Sequence, residues 1–155
     1  MRWILLSISH GLVLAAGFAL GIYLLPILTA LPSVDRGLIA DAAKSAQFEA
    51  VFTRDLKGSD FLHWGEGKVS VSPSRIALEG KLSPGPDYKL YLVPVFVDDE
   101  ASFLSVKENS LRVGDIKTFD GFIIDVPAGT DINAYDTVLV WCEAFGEFIS
   151  AAKYR

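Results

Sequence analysis

The N-terminal part of the chain is one long apolar stretch, with no charged side chain from Trp3 to Val34. A helix that crosses a membrane needs about 20 mostly apolar residues in a row. Trp3–Leu25 provides 23 uncharged residues before Pro26, whereas the apolar part of a cleaved secretory signal spans only about 7–15 residues. The pattern therefore predicts one uncleaved transmembrane helix, with residues 3–31 as an anchor in membrane lipid.

The segment that follows, residues 32–53, is predicted to be a stalk or linker. Pro32 and Ser33 end the apolar stretch, and Asp35–Gln47 is rich in alanine. Because alanine favours helix, this segment has the composition of a short helix between the anchor and the folded domain.

From about residue 48 the apolar positions alternate with polar ones, a period of two that is typical of β-strands. Lys68–Ser72 and Arg75–Glu79 alternate in this way and are separated by only two residues, which predicts a hairpin. Tyr88–Val93 is apolar on both faces, and this pattern indicates a central strand covered on both sides.

The last third of the domain continues the same pattern. Asp120–Gly121 is a favoured hairpin turn, so Ile116–Phe119 and Phe122–Val126 are predicted to pair around it. Thr137–Glu143 is the clearest strand of the chain. About seven short strands with frequent turns are typical of a β-sandwich or barrel. We therefore expect a mainly β protein: a single β-sandwich-like domain over residues 54–155, preceded by the transmembrane helix.

The charge distribution affects both topology and partners. Only one of the 14 basic residues, Arg2, precedes residue 33, so 13 basic and 19 acidic residues remain, a net charge of −6. This charge argues against a nucleic-acid partner. Arg2 and the start amine favour a cytoplasmic N-terminus, which predicts a single-pass inner-membrane protein with a periplasmic or otherwise extracytoplasmic domain.

Cys142 is the only cysteine and the first candidate for chemistry. It shares one face of its predicted strand with Val138 and Val140, which is typical of a small buried side chain. Its position near the strand end is equally compatible with a redox-active or ligating thiolate, which would need a lowered pKa.

The two histidines are candidate ligands. His63 is the only one outside the apolar helix, and Cys142 is the only other soft donor in the domain. His10 lies in the helix on nearly the same face as Gly17 and Gly21, a GxxxG pattern that is typical of helix dimers. A dimer through Gly17 and Gly21 would bring two His10 side chains together, with space for a haem. The cofactor stays unidentified, with haem or a metal ion as candidates.

No nucleotide-binding, serine-hydrolase, zinc-protease or CxxC motif occurs in the chain. An enzyme is therefore not the favoured interpretation.

Several segments together carry a family resemblance. They are Gly58-x-x-Phe61 with His63 and Gly67-x-Val69; Gly85–Leu92 (GPDYKLYL); Gly114–Lys117 with Gly121 and Val126–Pro127; and Tyr135 with Val138–Cys142 (VLVWC), Phe145, Phe148 and Ala151. The soluble part resembles the DM-thirteen domain, a family labelled electron transfer, in a membrane-anchored bacterial form. The resemblance implies a β-sandwich-like domain with Cys142 as the redox candidate, and with Trp141 and Phe145 packed around it.

Two functional hypotheses remain open, besides the least favoured one of an enzyme with an unrecognised site. In the first, the chain is a redox or electron-transfer accessory that acts through Cys142. In the second, it is a non-catalytic module that binds an envelope protein, and Cys142 is only part of the core.

Overall fold

The structure is a computed structural model that describes residues 1–155. Its eight strands form two antiparallel sheets, with strand orders β1-β2-β3-β6 and β5-β4-β7-β8. The strands are β1 Phe48–Phe52, β2 Gly65–Val71, β3 Arg75–Leu82, β4 Tyr88–Val93, β5 Leu111–Ile116, β6 Phe122–Asp125, β7 Thr137–Cys142 and β8 Glu147–Lys153. The helices are α1 Arg2–Thr29, α2 Arg36–Ala43 and α3 Glu100–Val106. The predicted β-sandwich preceded by one helix is confirmed.

Helix α1 has the length and composition of a membrane-spanning helix. Its 28 residues correspond to about 42 Å at 1.5 Å per residue. Pro26 lies inside it and is its only buried residue. Nearly all of the apolar surface of α1 therefore remains free of contacts with the rest of the chain.

The segment assigned to the stalk contains regular structure that packs on the sandwich. The Asp35 carboxylate caps α2 by accepting a hydrogen bond from the Gly37 amide at 2.7 Å. Ile39 of α2 is buried against Ala77 of β3, and β1 follows at Phe48 as an edge strand paired with β2. This segment thus continues the fold from the helix into the first sheet.

The hairpin predicted for Lys68–Glu79 is confirmed as β2 and β3, which pair from Gly65–Leu82 to Val71–Ile76. The second predicted hairpin is wrong. β5 pairs with β4 and β6 pairs with β3, so the residues around Gly121 connect the two sheets.

The local geometry at Gly121 explains this difference. A type I′ hairpin turn needs a positive φ at both central residues, but only Gly121 has one, at 84°. The Thr118 hydroxyl donates to the Gly121 carbonyl at 2.6 Å, and the Leu82 amide donates to the Phe119 carbonyl at 2.9 Å. These bonds hold the connection against β3 and direct the chain across the sandwich.

Strands β4 and β7 are buried on both faces. One face lies in the main core between the sheets, with Leu90, Val138 and Val140. The other face packs under α3 in a second cluster that includes Tyr91, Phe103 and Trp141. The prediction that Tyr88–Val93 is a central strand covered on both sides is confirmed.

One end of the sandwich carries the connection to α1, and we call it the anchor end. Strands β7 and β8 meet there at the pair Cys142–Glu147, and Tyr88 of β4 lies opposite Cys142. The Leu31 amide, just after α1, donates to the Lys117 carbonyl at 3.2 Å. The helix and the only cysteine therefore lie at the same end of the domain.

Neighbouring residues of β1 test whether this strand belongs to the domain core. Phe52 is 1% exposed and Val51 is 60% exposed. We expect Phe52→Ala to lower the free energy of unfolding by about 3–5 kcal/mol, because it leaves a cavity in the main core. Val51→Ala is the matched control and should change it by no more than about 0.5 kcal/mol. Chemical unfolding of the full chain in detergent measures both values, and equally small effects would place β1 outside the core.

Candidate functional site

An apolar cavity at the anchor end contains three of the residues singled out from the sequence. Its volume is about 310 Å³, and eight of its 13 lining residues are hydrophobic. Cys142, His63 and Phe145 line it together with Tyr88 and Pro84. The volume lies at the lower end of the range of about 300–1,000 Å³ that is typical of small-ligand sites.

Helix α1 supplies one wall of this cavity. Ala19, Ile22 and Tyr23 line it on the side opposite the sandwich loops. The wall is held close because Pro26 is buried and the Leu31 amide is bonded to Lys117. The cavity is therefore formed by the N-terminal helix and the domain together.

The position of Cys142 follows from strand alternation. Val138, Val140 and Cys142 belong to the main core, while Leu139 and Trp141 belong to the cluster under α3. The alternation predicted for β7 is thus confirmed. Cys142 is the last residue of the strand and is 2% exposed, so its thiol lies where the core meets the cavity.

Burial raises the pKa of the Cys142 thiol, because desolvation disfavours the thiolate. Hydrogen bonds from the backbone amides of Phe145, Asp87 and Ala144 act in the opposite direction, but burial outweighs them. The site therefore holds a neutral thiol at neutral pH.

The amines of Lys107 and Lys89 lie on the face of the sheet that carries Trp141, away from the thiol, and both are engaged by carboxylates. Lys107 Nζ lies 2.7 Å from a carboxylate oxygen of Glu143, and Lys89 Nζ lies 2.5 Å from Asp87 and 3.1 Å from Asp115. Glu143 also accepts a hydrogen bond from the Tyr91 hydroxyl. A thiolate is normally stabilised by cationic neighbours, and these pairs leave little positive charge for that purpose.

His63 enters the cavity from a tight turn built on Asp60. One Asp60 carboxylate oxygen accepts hydrogen bonds from the Leu62 and His63 amides, each at 2.7 Å. The other oxygen lies 3.1 Å from His63 Nδ1. Burial raises the pKa of Asp60, but these hydrogen bonds outweigh burial and leave the pKa below its ordinary value. When the Nδ1–H group donates a hydrogen bond to Asp60, the lone pair of the neutral ring lies on Nε2.

Tyr88 and Asp60 were missed as site residues by the sequence argument. Tyr88 packs edge-on against Phe119, with ring centroids 6.0 Å apart, and its hydroxyl lies 3.3 Å from Ser83 Oγ. Burial raises the pKa of Tyr88. A Cβ atom at Gly85 would collide with the Tyr88 ring, so the glycine three residues before Tyr88 is the feature of the sequence that indicates a close approach to this ring.

Trp141 and Phe145 lie in different places, and only Phe145 is at the cavity. Phe145 lines the cavity and is 54% exposed. Trp141 faces the other side of the sheet, where its ring centroid lies 4.9 Å from that of Phe103. Trp141 therefore packs behind the strand, away from the thiol.

The donors in the cavity do not fit a metal ion held by this chain alone. No group of three or more His, Cys, Asp or Glu side chains lies close enough to hold one. His10 is directed elsewhere, because its Nδ1 lies 2.8 Å from the Leu6 carbonyl of its own helix. Apart from the backbone of their own helix and their chain neighbours, no atoms lie within 4 Å of a Cβ built at Gly17 or Gly21. The dimer through these residues stays a prediction.

A family model described as Electron transfer DM13 matches residues 52–154. These residues include every strand from β2 to β8 and the domain side of the cavity. A search of curated proteins and a search of solved structures each found no match.

The raised pKa predicts how alkylation of Cys142 depends on pH. Iodoacetamide reacts with the thiolate, so the rate for the folded full chain should rise with a midpoint above the ordinary thiol value of about 8.5. The same chain unfolded in guanidinium should show the ordinary midpoint. Mass spectrometry of the Cys142 adduct measures both profiles. A folded-state midpoint below the ordinary value would contradict the burial argument.

Proposed function

This chain belongs to the Electron transfer DM13 family, and from that premise we propose that it is a membrane-anchored redox accessory whose reactive group is the Cys142 thiol. Family membership supports a general role linked to redox or electron-transfer chemistry. The assignment of that role to Cys142 and the anchoring through α1 are our proposals.

The observation that carries the proposal is the cavity beside the thiol. A cysteine that served only to fill the core could lie anywhere along the valine face of β7. Cys142 instead lies at its last position, beside a cavity that His63 also lines. This arrangement gives a small apolar reagent a path to a thiol that is otherwise covered.

The proposed step is thiol–disulfide exchange with a small disulfide. The Cys142 sulfur attacks one sulfur of the reagent, a new S–S bond forms, and the S–S bond of the reagent breaks. Cys142 and the attached half then form a mixed disulfide, and the other half leaves as a thiol that takes up the proton lost by Cys142. A second thiol restores Cys142 by the reverse exchange.

His63 and the amides have distinct roles in this step. We assign His63 Nε2 as the base, because Asp60 accepts a hydrogen bond from the Nδ1–H group and the lone pair is then on Nε2. The amides of Phe145, Asp87 and Ala144 stabilise the charge that develops on sulfur as the proton leaves. Because the chain has one cysteine, its oxidised form is a mixed disulfide with another molecule.

The proposed location follows from α1. We place α1 as an uncleaved anchor across an inner membrane, with the N-terminus cytoplasmic and the domain periplasmic. The support is the length and composition of the helix and the basic residue Arg2 at its start. The partner is then another envelope protein or a small thiol, and the net charge of −6 after residue 33 disfavours nucleic acid.

A second candidate function is a binding module without redox chemistry. The observation that favours it is the burial of Cys142 on the same face as Val138 and Val140, which raises the pKa of the thiol. In this case Cys142→Ser should change only stability, by about 1 kcal/mol, and leave function intact.

Two disulfide reagents distinguish these candidates. Dithiodipyridine is small and uncharged, whereas dithiobis-nitrobenzoate is bulkier and carries two negative charges. We compare the rate constant for the uncharged reagent with that for the anionic reagent. We expect this ratio to be about tenfold higher for the folded full chain than for the unfolded chain, because only the uncharged reagent enters the apolar cavity. Stopped-flow absorbance of the released thiol gives both rate constants.

A pair of exposed phenylalanines provides the matched variants. Phe145→Ala enlarges the cavity and should raise the rate with the anionic reagent severalfold. Phe61→Ala lies outside the cavity lining and should leave the preference unchanged. If both reagents react only at the rate of unfolding, and Phe145→Ala has no effect, Cys142 is a core residue and the redox proposal fails.

A further inference from the structure

Two aromatic residues of α1 are separated by the thickness of a bilayer. Trp3 and Tyr23 are about 20 residues apart, which corresponds to about 30 Å along a helix and matches the hydrocarbon core of a membrane. Tryptophan and tyrosine prefer the two membrane–water interfaces. When α1 crosses a bilayer, Tyr23 therefore lies at the outer interface, on the side of the domain.

The anchor end of the sandwich reaches the level of Tyr23. Tyr23 and Ile22 line the same cavity as Leu62 and Phe145, so loops of the domain lie beside the last part of α1 that is within the bilayer. The Leu31–Lys117 hydrogen bond holds the chain after α1 against the domain. The loop tips at this end thus lie beside lipid.

These loop tips carry exposed apolar side chains. Phe61 is 86% exposed, the highest value for a large apolar side chain in the part of the chain that follows α1, and Leu62 and Phe145 are 41% and 54% exposed. We call these three residues the apolar tip. Hydrogen bonds fix the turn that carries Phe61 and Leu62. The Asp60 carboxylate accepts hydrogen bonds from the Leu62 and His63 amides, and the Asp60 amide donates to the His63 carbonyl at 2.9 Å.

We propose that the apolar tip docks into the outer interface of the bilayer that α1 crosses, with Phe61, Leu62 and Phe145 inserted at the boundary between headgroups and acyl chains. This inference rests on the proposed anchoring of α1. It also specifies the route to the proposed redox site, because the mouth of the cavity then opens at the interface and small molecules dissolved in the membrane reach Cys142 from there.

The charges around the tip favour apolar contact over electrostatic attraction. Asp60 and Glu147 lie beside His63, and Lys117 lies near the end of α1. This mixture provides no basic cluster of the kind that binds anionic lipid. The docking therefore occurs on a zwitterionic bilayer and does not depend on ionic strength.

Photo-crosslinking to lipid tests this arrangement. The full chain is reconstituted into phosphatidylcholine vesicles with benzoylphenylalanine in place of Phe61 or Phe145, and lipid adducts are measured by intact-protein mass spectrometry. Two further positions serve as references. Leu14 lies in α1 and is 75% exposed, and Val95 is 47% exposed just beyond the end of β4 opposite the anchor end. All four positions are exposed, so the probes leave the core intact.

We expect abundant lipid adducts at positions 14, 61 and 145, with the yield at 61 and 145 severalfold above that at 95 and unchanged in high salt. Adducts at position 14 without adducts at 61 and 145 would show that the anchor is correct and the docking is wrong. Absence of adducts at position 14 would overturn the anchoring, and the docking with it. Crosslinks from 61 or 145 to a second copy of the chain in place of lipid would identify an oligomer interface and overturn the docking.

Discussion

The burial of β4 and β7 on both faces is the constraint from which the rest of the structure follows. Their neighbouring strands β5 and β8 protect the edges, the other sheet covers one face, and the segment with α3 covers the second. A doubly covered pair of strands has no free surface for chemistry along its length. Functional groups on these strands can reach other molecules only at strand ends, and Cys142 and Tyr88 are the terminal residues at one end.

The chemistry of the thiol reflects a balance between two opposing effects of this position. Desolvation raises the pKa of Cys142, whereas three backbone amides lower it. Because desolvation is larger, the resting group is a thiol that reacts slowly with oxidants in water. In the redox role proposed above, the thiol therefore reacts only with a reagent that reaches the cavity.

The sequence predicts those parts of the fold that depend on local patterns. The β2–β3 hairpin and the faces of β7 follow from alternation, and the two-sided burial of β4 follows from a continuous apolar run. The pairing of β5 and β6 could not be predicted, because a favourable turn at Asp120–Gly121 does not indicate whether the flanking strands share a sheet. The cavity was equally inaccessible to sequence patterns, since it depends on how α1 packs against loops that are distant in the chain. The spacing of Asp60 and His63, by contrast, is a local signal for the turn that holds the imidazole.

The contribution of α1 to the cavity has a practical consequence for work with soluble fragments. A fragment that begins after residue 31 keeps both sheets but loses Ala19, Ile22 and Tyr23, which form one wall. The thiol would then face open water on that side, and its accessibility and pKa would differ from those in the intact chain. Truncation for ease of purification would therefore alter the reactivity of Cys142. Rapid reaction of the thiol in such a fragment would be a property of the fragment and not of the intact chain.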